Sequence, residues 1–125
     1  LSNAIKLQPD RAGVYGQRGL IYADLGLHQL AIEDYNEAIR LRSDTAITYY
    51  VRGVAYANIG QYQRAIEDYN EAIRLQPNDA NAYNNRGGAY IAQNNFNLGC
   101  RDWQKSCELG KCKSLEWAKG KGYCN

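Results

Sequence analysis

Apolar residues recur along the chain at intervals of three, four and seven residues, which is the spacing of an amphipathic helix. Between residues 46 and 79 they form two stripes, one ending at Ile59 and the other beginning at Tyr62. Gly60-Gln61 interrupts the pattern between the stripes, and Pro77-Asn78-Asp79 interrupts it after the second stripe. Because glycine and proline break helices, this segment predicts a helical hairpin with a short turn.

The same hairpin pattern occurs three times in units of equal length, over residues 12–45, 46–79 and 80–113. It predicts first helices over residues 12–25, 46–59 and 80–93, and second helices over 28–42, 62–75 and 96–109. Asp10, Asp44 and Asp79 are predicted to cap the first helices. Ser114 is predicted to cap a short last helix over residues 114–120, within a C-terminal cap of residues 114–125. A repeat of this length indicates an all-α array in which each hairpin stacks on the next.

Small residues lie where the two helices of each predicted hairpin cross, and aromatic residues lie beside them. The facing small pairs are Gly19 and Ala31, Gly53 and Ala65, and Gly87 and Gly99. Small side chains allow two helices to approach to about 8–10 Å. The aromatic positions are Tyr15, Tyr22, Tyr35, Tyr49, Tyr56, Tyr69, Tyr83, Tyr90 and Trp103. We expect these rings to pack in the core, with a ligand-stacking role as the alternative.

The middle unit resembles the tetratricopeptide repeat at Tyr49, Gly53, Tyr56, Gly60, Tyr62, Ala65, Tyr69, Ala72 and Pro77. The third unit matches less closely, with Asn94 in place of the turn glycine and Lys111 in place of the proline, which suits a terminal repeat. The resemblance implies a right-handed superhelix of three stacked helix-turn-helix repeats with a short C-terminal capping helix. It also implies a concave groove that receives a peptide segment or partner helix, and a family that is not enzymatic in itself.

The resemblance further implies which side chains face the groove. They are Gln17, Leu20, Asp24, Ile47, Tyr50, Val51, Val54, Asn58, Asn81, Asn84, Asn85 and Gly88. One subclass of the family clamps an acidic peptide C-terminus with Lys, Asn and Arg, but here those positions hold Gly16, Tyr50 and Asn84. We therefore expect no such clamp and a neutral, amide-rich, partly apolar groove that suits an extended backbone. The alternative is that Tyr50 and the asparagines are ordinary solvated positions.

Two series of opposite charge also recur once in every unit, at equivalent positions. The arginines are Arg18, Arg52 and Arg86, and the aspartates are Asp34, Asp68 and Asp102. Because the two series match in number and spacing, they predict one structural Arg–Asp pair within each hairpin or between neighbours. The alternative is a ladder of arginines that binds an anionic ligand.

All four cysteines lie at the C-terminal end, within residues 100–125. Cys100 and Cys107 are seven residues apart on one face of the predicted second helix, roughly 10 Å apart along its axis, which is too far for a disulfide. If the last helix folds back on that face, Cys107–Cys112 and Cys100–Cys124 are the favoured disulfide pairs. Buried free thiols and a zinc site are the alternatives, although the spacing lacks the paired C-x2-C of metal sites, and we expect no metal or cofactor. Paired cysteines would favour a periplasmic or extracellular location.

The expected partner is a protein or peptide. The net charge is only +2 and the groove holds no lysine, so we expect no nucleic-acid binding, and no run of 18 apolar residues predicts membrane insertion. His28 is the only histidine and occupies a core-like position beside a turn, and the sequence contains no Ser/His/Asp set, so we expect no catalysis.

The N-terminal residues 1–11 resemble the tail of a preceding repeat, because Asn3–Pro9 matches Glu71–Pro77. We therefore expect the chain to be the C-terminal part of a longer array, and a remnant of an expression tag at Ser2-Asn3-Ala4 is the alternative. An alternative function follows from this tail. Its exposed apolar residues Ala4, Ile5 and Leu7 would favour a homo-oligomer.

Overall fold

The computed structural model describes residues 11–125, and this part of the chain is all-α. Its helices are α1 (Arg11–Asp24), α2 (His28–Leu41), α3 (Ala46–Asn58), α4 (Tyr62–Leu75), α5 (Ala80–Ala92), α6 (Phe96–Glu108) and α7 (Lys113–Gly120). Each helix begins within one residue of its predicted start, because the apolar period and the turn residues are local signals. The predicted tail and its apolar residues Ala4, Ile5 and Leu7 lie outside the described residues, except that Arg11 already belongs to α1.

The helices form three antiparallel hairpins that stack side by side. α1 packs on α2, α3 on α4 and α5 on α6, while α2 contacts α3 and α4 contacts α5. The first helices also contact one another from hairpin to hairpin, α1 with α3 and α3 with α5, and they therefore share one face of the array. A single hairpin cannot bury its apolar stripe alone, so stacking produces the continuous core. None of the helices within residues 11–125 combines the length and apolarity needed to cross a bilayer.

Glycine allows the closest approach inside each hairpin. A Cβ added to Gly53 would lie 2.7 Å from a ring carbon of Tyr69, so the tyrosine ring rests directly on the backbone of α3. Ala65, Ile66 and Tyr69 are buried beside this contact. The predicted core position is confirmed for the second-helix rings Tyr35, Tyr69 and Trp103. The first-helix rings are only half-buried, namely Tyr15, Tyr22, Tyr49, Tyr56, Tyr83 and Tyr90.

The helix ends show where local prediction succeeds and fails. The Asp79 side chain accepts a hydrogen bond from the Asn81 backbone N–H at 3.0 Å, as a cap should. The prediction for Asp44 is wrong, because Thr45 is the N-cap residue of α3 and Asp44 pairs with Arg42 at 3.3 Å. Asp10 lies outside the described residues. The prediction for Ser114 is also wrong, because α7 begins one residue earlier, at Lys113, and its N-cap is Cys112.

Candidate functional site

The arginines and aspartates that recur in every unit form a ladder of ion pairs in which the aspartates are buried. In the second hairpin, Arg52 Nε and Nη2 donate to the two carboxylate oxygens of Asp68 at 2.8 and 2.7 Å. The pairs Arg18–Asp34 and Arg86–Asp102 have the same geometry. The predicted structural pair within each hairpin is therefore confirmed.

The ladder also joins one hairpin to the next. Arg52 Nη1 donates to Asn36 Oδ1 at 2.9 Å, and Arg86 Nη1 donates to Asn70 Oδ1 at the same distance. The Arg52 guanidinium lies 5.8 Å from the ring centres of both Tyr49 and Tyr56. Hydrogen bonding and the charge of Asp102 hold the pKa of Arg86 above its ordinary value, against the effect of burial. Because these guanidinium groups already bind protein side chains, the ladder serves register and packing.

An open cavity of about 240 Å³ lies between the first and second hairpins, on the face that α1 and α3 share. Four of the predicted groove residues line it, namely Gln17 and Leu20 from α1 and Ile47 and Val51 from α3. Its other walls are Ala12, Gly13, Gly16, Tyr35, Ala38, Arg42, Thr45 and Thr48. Leu20 is 40% exposed and Ile47 is 58% exposed, so both present apolar surface to solvent at this cavity.

Three other predicted groove residues belong to a packed network between the second and third hairpins. Asn85 Nδ2 donates to the Tyr50 hydroxyl at 2.9 Å, and the Tyr50 ring centre lies 6.0 Å from that of Tyr69. Val54 packs against the same cluster. Burial raises the pKa of Tyr50, and the hydrogen bond from Asn85 partly opposes that rise. Tyr50 and Asn85 are therefore hydrogen-bonded to each other, and Tyr50 packs against the core cluster between these two hairpins.

Asn84 does not lie free in the groove, because it is hydrogen-bonded to α6 and to the C-terminal cap. Its backbone oxygen accepts a hydrogen bond from Trp103 Nε1 at 2.9 Å, and its side-chain Oδ1 accepts one from Ser114 Oγ at 2.7 Å. Asp24, Asn58 and Asn81 are exposed and do not line the cavity. Gly88 lies on α5, and a Cβ added there would meet no atom within 4 Å.

Tyr35 is the residue at this site whose importance the sequence analysis missed. Its side chain is 0% exposed, it lines the cavity, and its hydroxyl has no hydrogen-bond partner in the described part of the chain. Burial, followed by the charges of Asp24 and Asp34, raises the pKa of Tyr35 to about 12. The sequence does contain a signal for this site. When the first unit is aligned with the second, Gly16 stands at the position of Tyr50, so the first unit lacks the large side chain that the second unit carries there.

The other candidate side chains lie away from the cavity. His28 begins α2, and its buried Nδ1 has no hydrogen-bond partner within residues 11–125. Cys100 bonds to Cys124 and Cys107 bonds to Cys112, with Cα–Cα distances of 5.7 and 4.0 Å. These are the two pairings that the sequence favours, and they leave no free cysteine in the described residues.

The disulfides secure a small apolar cap on α6. Leu115, Ala118 and Cys124 are buried against Trp103, and the exposed ring of Trp117 meets Trp103 edge-on at 6.2 Å. The cap therefore covers the open end of the third hairpin, which in an array would otherwise leave its apolar side facing water.

Comparison with known proteins agrees with this architecture. A tetratricopeptide repeat model matches residues 46–79, which is the whole of the second predicted unit, and a TPR repeat model matches residues 19–60. No curated protein sequence matches the chain.

Among solved structures, the chain is similar to MamA, with 26% identity and a TM-score of 0.85 over 98% of this chain and 75% of MamA. The Arabidopsis OM64 TPR domain has 22% identity and a TM-score of 0.84, over 88% of this chain and 92% of that domain. The first TPR of Spaghetti, solved with the HSP90 peptide SRMEEVD, has 22% identity and a TM-score of 0.80, over 88% of this chain and 94% of its own. The matched repeat models assign residues 19–79 to the tetratricopeptide repeat family, and the three hairpins have the same fold as these structures.

Proposed function

We propose that this chain is a non-catalytic protein-interaction scaffold that binds an extended peptide segment in the concave groove formed by α1, α3 and α5. The observation that carries the proposal is the open cavity of about 240 Å³ between α1 and α3. Apolar walls with a few polar groups are the usual composition of a ligand site, and Leu20, Ile47 and Gln17 supply both kinds here.

The chemistry of the groove favours a neutral, partly apolar peptide. The Spaghetti repeat domain is bound to the acidic HSP90 peptide SRMEEVD. In this chain the positions expected to clamp such an acidic end hold Gly16, Tyr50 and Asn84, none of which carries a positive charge. The Tyr50 and Asn84 side chains are moreover hydrogen-bonded inside the protein. Exposed apolar side chains at the cavity suit aliphatic or aromatic side chains of a partner.

Peptide selection from a random display library tests this proposal. Ile47→Asp removes apolar surface at the cavity, and we expect it to weaken selected peptides by at least about tenfold, because burying an isoleucine side chain contributes about 1.5–3 kcal/mol. Ile21→Asp is the matched control, since Ile21 is 59% exposed, compared with 58% for Ile47, but does not line the cavity. Equal loss of binding in both variants would show that the peptides do not use the groove.

Self-association remains the alternative from the sequence. It depends on Ala4, Ile5 and Leu7, which lie outside the described residues. Light scattering across a dilution series tests it, and a constant monomer mass would exclude it.

A further inference from the structure

A cluster of three residues distinguishes the second repeat unit from the first on the face that the first helices share. In the second unit, Asn85 donates to the Tyr50 hydroxyl at 2.9 Å, and the Tyr50 ring stands 6.0 Å from the ring of Tyr69. Burial raises the pKa of Tyr69, and a side-chain hydrogen bond with Asn85 partly opposes that rise. The Tyr50 ring and the Asn85 amide therefore both lie beside the buried Tyr69 of α4.

The equivalent cluster one repeat earlier consists of Gly16, Val51 and Tyr35. A Cβ added to Gly16 would meet no atom within 4 Å, so the space that Tyr50 fills in the second unit is open in the first. That space belongs to the cavity of about 240 Å³, and Tyr35 lines it. Val51 cannot donate a hydrogen bond from its side chain as Asn85 does, and the Tyr35 hydroxyl has no partner within residues 11–125.

We propose that this cavity binds a tyrosine side chain of a partner polypeptide. Its ring fills the space that Tyr50 fills in the second unit, and its hydroxyl gives Tyr35 the kind of hydrogen bond that Asn85 gives Tyr69. This inference rests on the proposed function, because the tyrosine would belong to the peptide in the groove. A phenol hydroxyl both donates and accepts, so it can pair with another hydroxyl in either direction.

The size and walls of the cavity agree with this occupant. An apolar protein cavity of about 150 Å³ is enough to hold benzene, so about 240 Å³ has room for a phenol ring. Leu20, Ala38, Ile47 and Val51 provide apolar walls for the ring. A phenylalanine side chain would fill the same space but leave the Tyr35 hydroxyl unpaired, and the cavity should therefore prefer tyrosine.

Titration with p-cresol and toluene, the side-chain analogues of tyrosine and phenylalanine, tests the preference directly. We expect p-cresol to shift the backbone amide NMR signals of Gly16, Leu20 and Val51, and to bind about tenfold more tightly than toluene, a ratio equivalent to about 1.4 kcal/mol. Tyr35→Phe keeps the ring but removes the hydroxyl, so it should abolish the preference and leave toluene binding nearly unchanged. Equal binding of the two probes by the natural chain would overturn the proposal.

Filling the cavity provides the second test. Gly16→Tyr places in the first unit the side chain that the second unit carries, and we expect it to fold normally and to abolish p-cresol binding. Gly88→Tyr is the matched control, because Gly88 is also a helical glycine with open space around its added Cβ but does not line the cavity. If both variants reduced p-cresol binding equally, the cavity would not be the site.

The display selection separates failure of this inference from failure of the proposed function. Tyrosine enrichment in the selected peptides, lost on Gly16→Tyr, supports the inference. Peptides that are weakened by Ile47→Asp but carry no tyrosine and ignore Gly16→Tyr uphold the proposed function and overturn the inference. If no peptide is selected while p-cresol still binds, the proposed function fails and the cavity's specificity stands. If the measured mass rises with protein concentration and Gly16→Tyr abolishes that rise, the occupant of the cavity is a second copy of this chain. That result would overturn the proposal of a separate partner.

Discussion

Removing the hydroxyl of Tyr35 should stabilise the protein, whereas removing the equivalent hydroxyl of Tyr69 should destabilise it. The two side chains are 0% and 1% exposed, and the tyrosine rings pack on Gly19 and Gly53 in the same way. They differ in their hydroxyls, because that of Tyr69 is hydrogen-bonded by Asn85 and that of Tyr35 has no partner in the described part of the chain. The pair therefore isolates the effect of an unpaired buried hydroxyl.

The magnitude follows from the cost of burying an unpaired polar group, about 1–3 kcal/mol. We take the lower end, about 1 kcal/mol, for Tyr35→Phe because the cavity beside Tyr35 is open. Unfolding entropy of about 2.1 cal/mol/K per residue gives about 0.26 kcal/mol/K for 125 residues, so about 1 kcal/mol raises the Tm by about 4 °C. Tyr69→Phe loses a hydrogen bond with a net contribution of about 1 kcal/mol and should lower the Tm by a similar amount.

Differential scanning calorimetry and urea unfolding of the two variants, at one protein concentration and without reductant, provide the measurement. Far-ultraviolet circular dichroism confirms that the helix content is unchanged. A fall in Tm for Tyr35→Phe equal to that for Tyr69→Phe would refute the reasoning, because it would mean that the Tyr35 hydroxyl is already paired.

Three further predictions concern the ladder, the cap and pH. Asp68→Ala should cost about 3 kcal/mol in urea unfolding, because it leaves a guanidinium that is 20% exposed without its carboxylate, whereas Glu71→Ala, in an exposed helix pair, should cost under about 0.5 kcal/mol. Replacing Cys100 and Cys124 by serine should cost about 3.5 kcal/mol, from the loop entropy of a 24-residue separation, and a Tm equal to that of the natural chain would contradict it. Burial raises the pKa of Tyr35 from 10.0 to about 12, so the unfolded chain loses this proton first. Stability should fall as pH rises from 10 towards 12, by up to about 1.4 kcal/mol per pH unit, and Tyr35→Phe should make the fall shallower in urea unfolding over the same pH range.

The helices and the turns between them could be predicted because their signals are local. The break at Gly60 marks a residue with a φ of +80°, and Asn94 adopts the same left-handed conformation, with a φ of +62°, where the third unit lacks the glycine. The Arg52–Asp68 pair was predictable for a related reason, since a fixed repeat brings equal positions into equal surroundings.

Side chains whose neighbours come from another helix could not be assigned from the pattern. Ser114 has the residue type of a cap, but its hydroxyl donates across the structure to Asn84, which lies on α5. Asn84 and Tyr50 occupy groove positions in the sequence, yet their polar atoms are used to hold the cap and the second hairpin. Local propensity does not predict such partners, because the hydrogen bond that competes with the local cap forms only after the helices pack.

The sequence by itself determined the all-α repeat architecture and the period of its core, and it favoured the two cysteine pairs that the structure forms. Only the tertiary structure decided which groove positions stay open, because that depends on the volumes of side chains from three different helices. Gly16, Val51 and Tyr35 are far apart in the chain, and only packing shows that together they leave a cavity and a buried hydroxyl without a partner in the described residues. A repeated pattern specifies the positions that are filled alike, whereas the proposed binding site lies where one repeat lacks a side chain that the next one has.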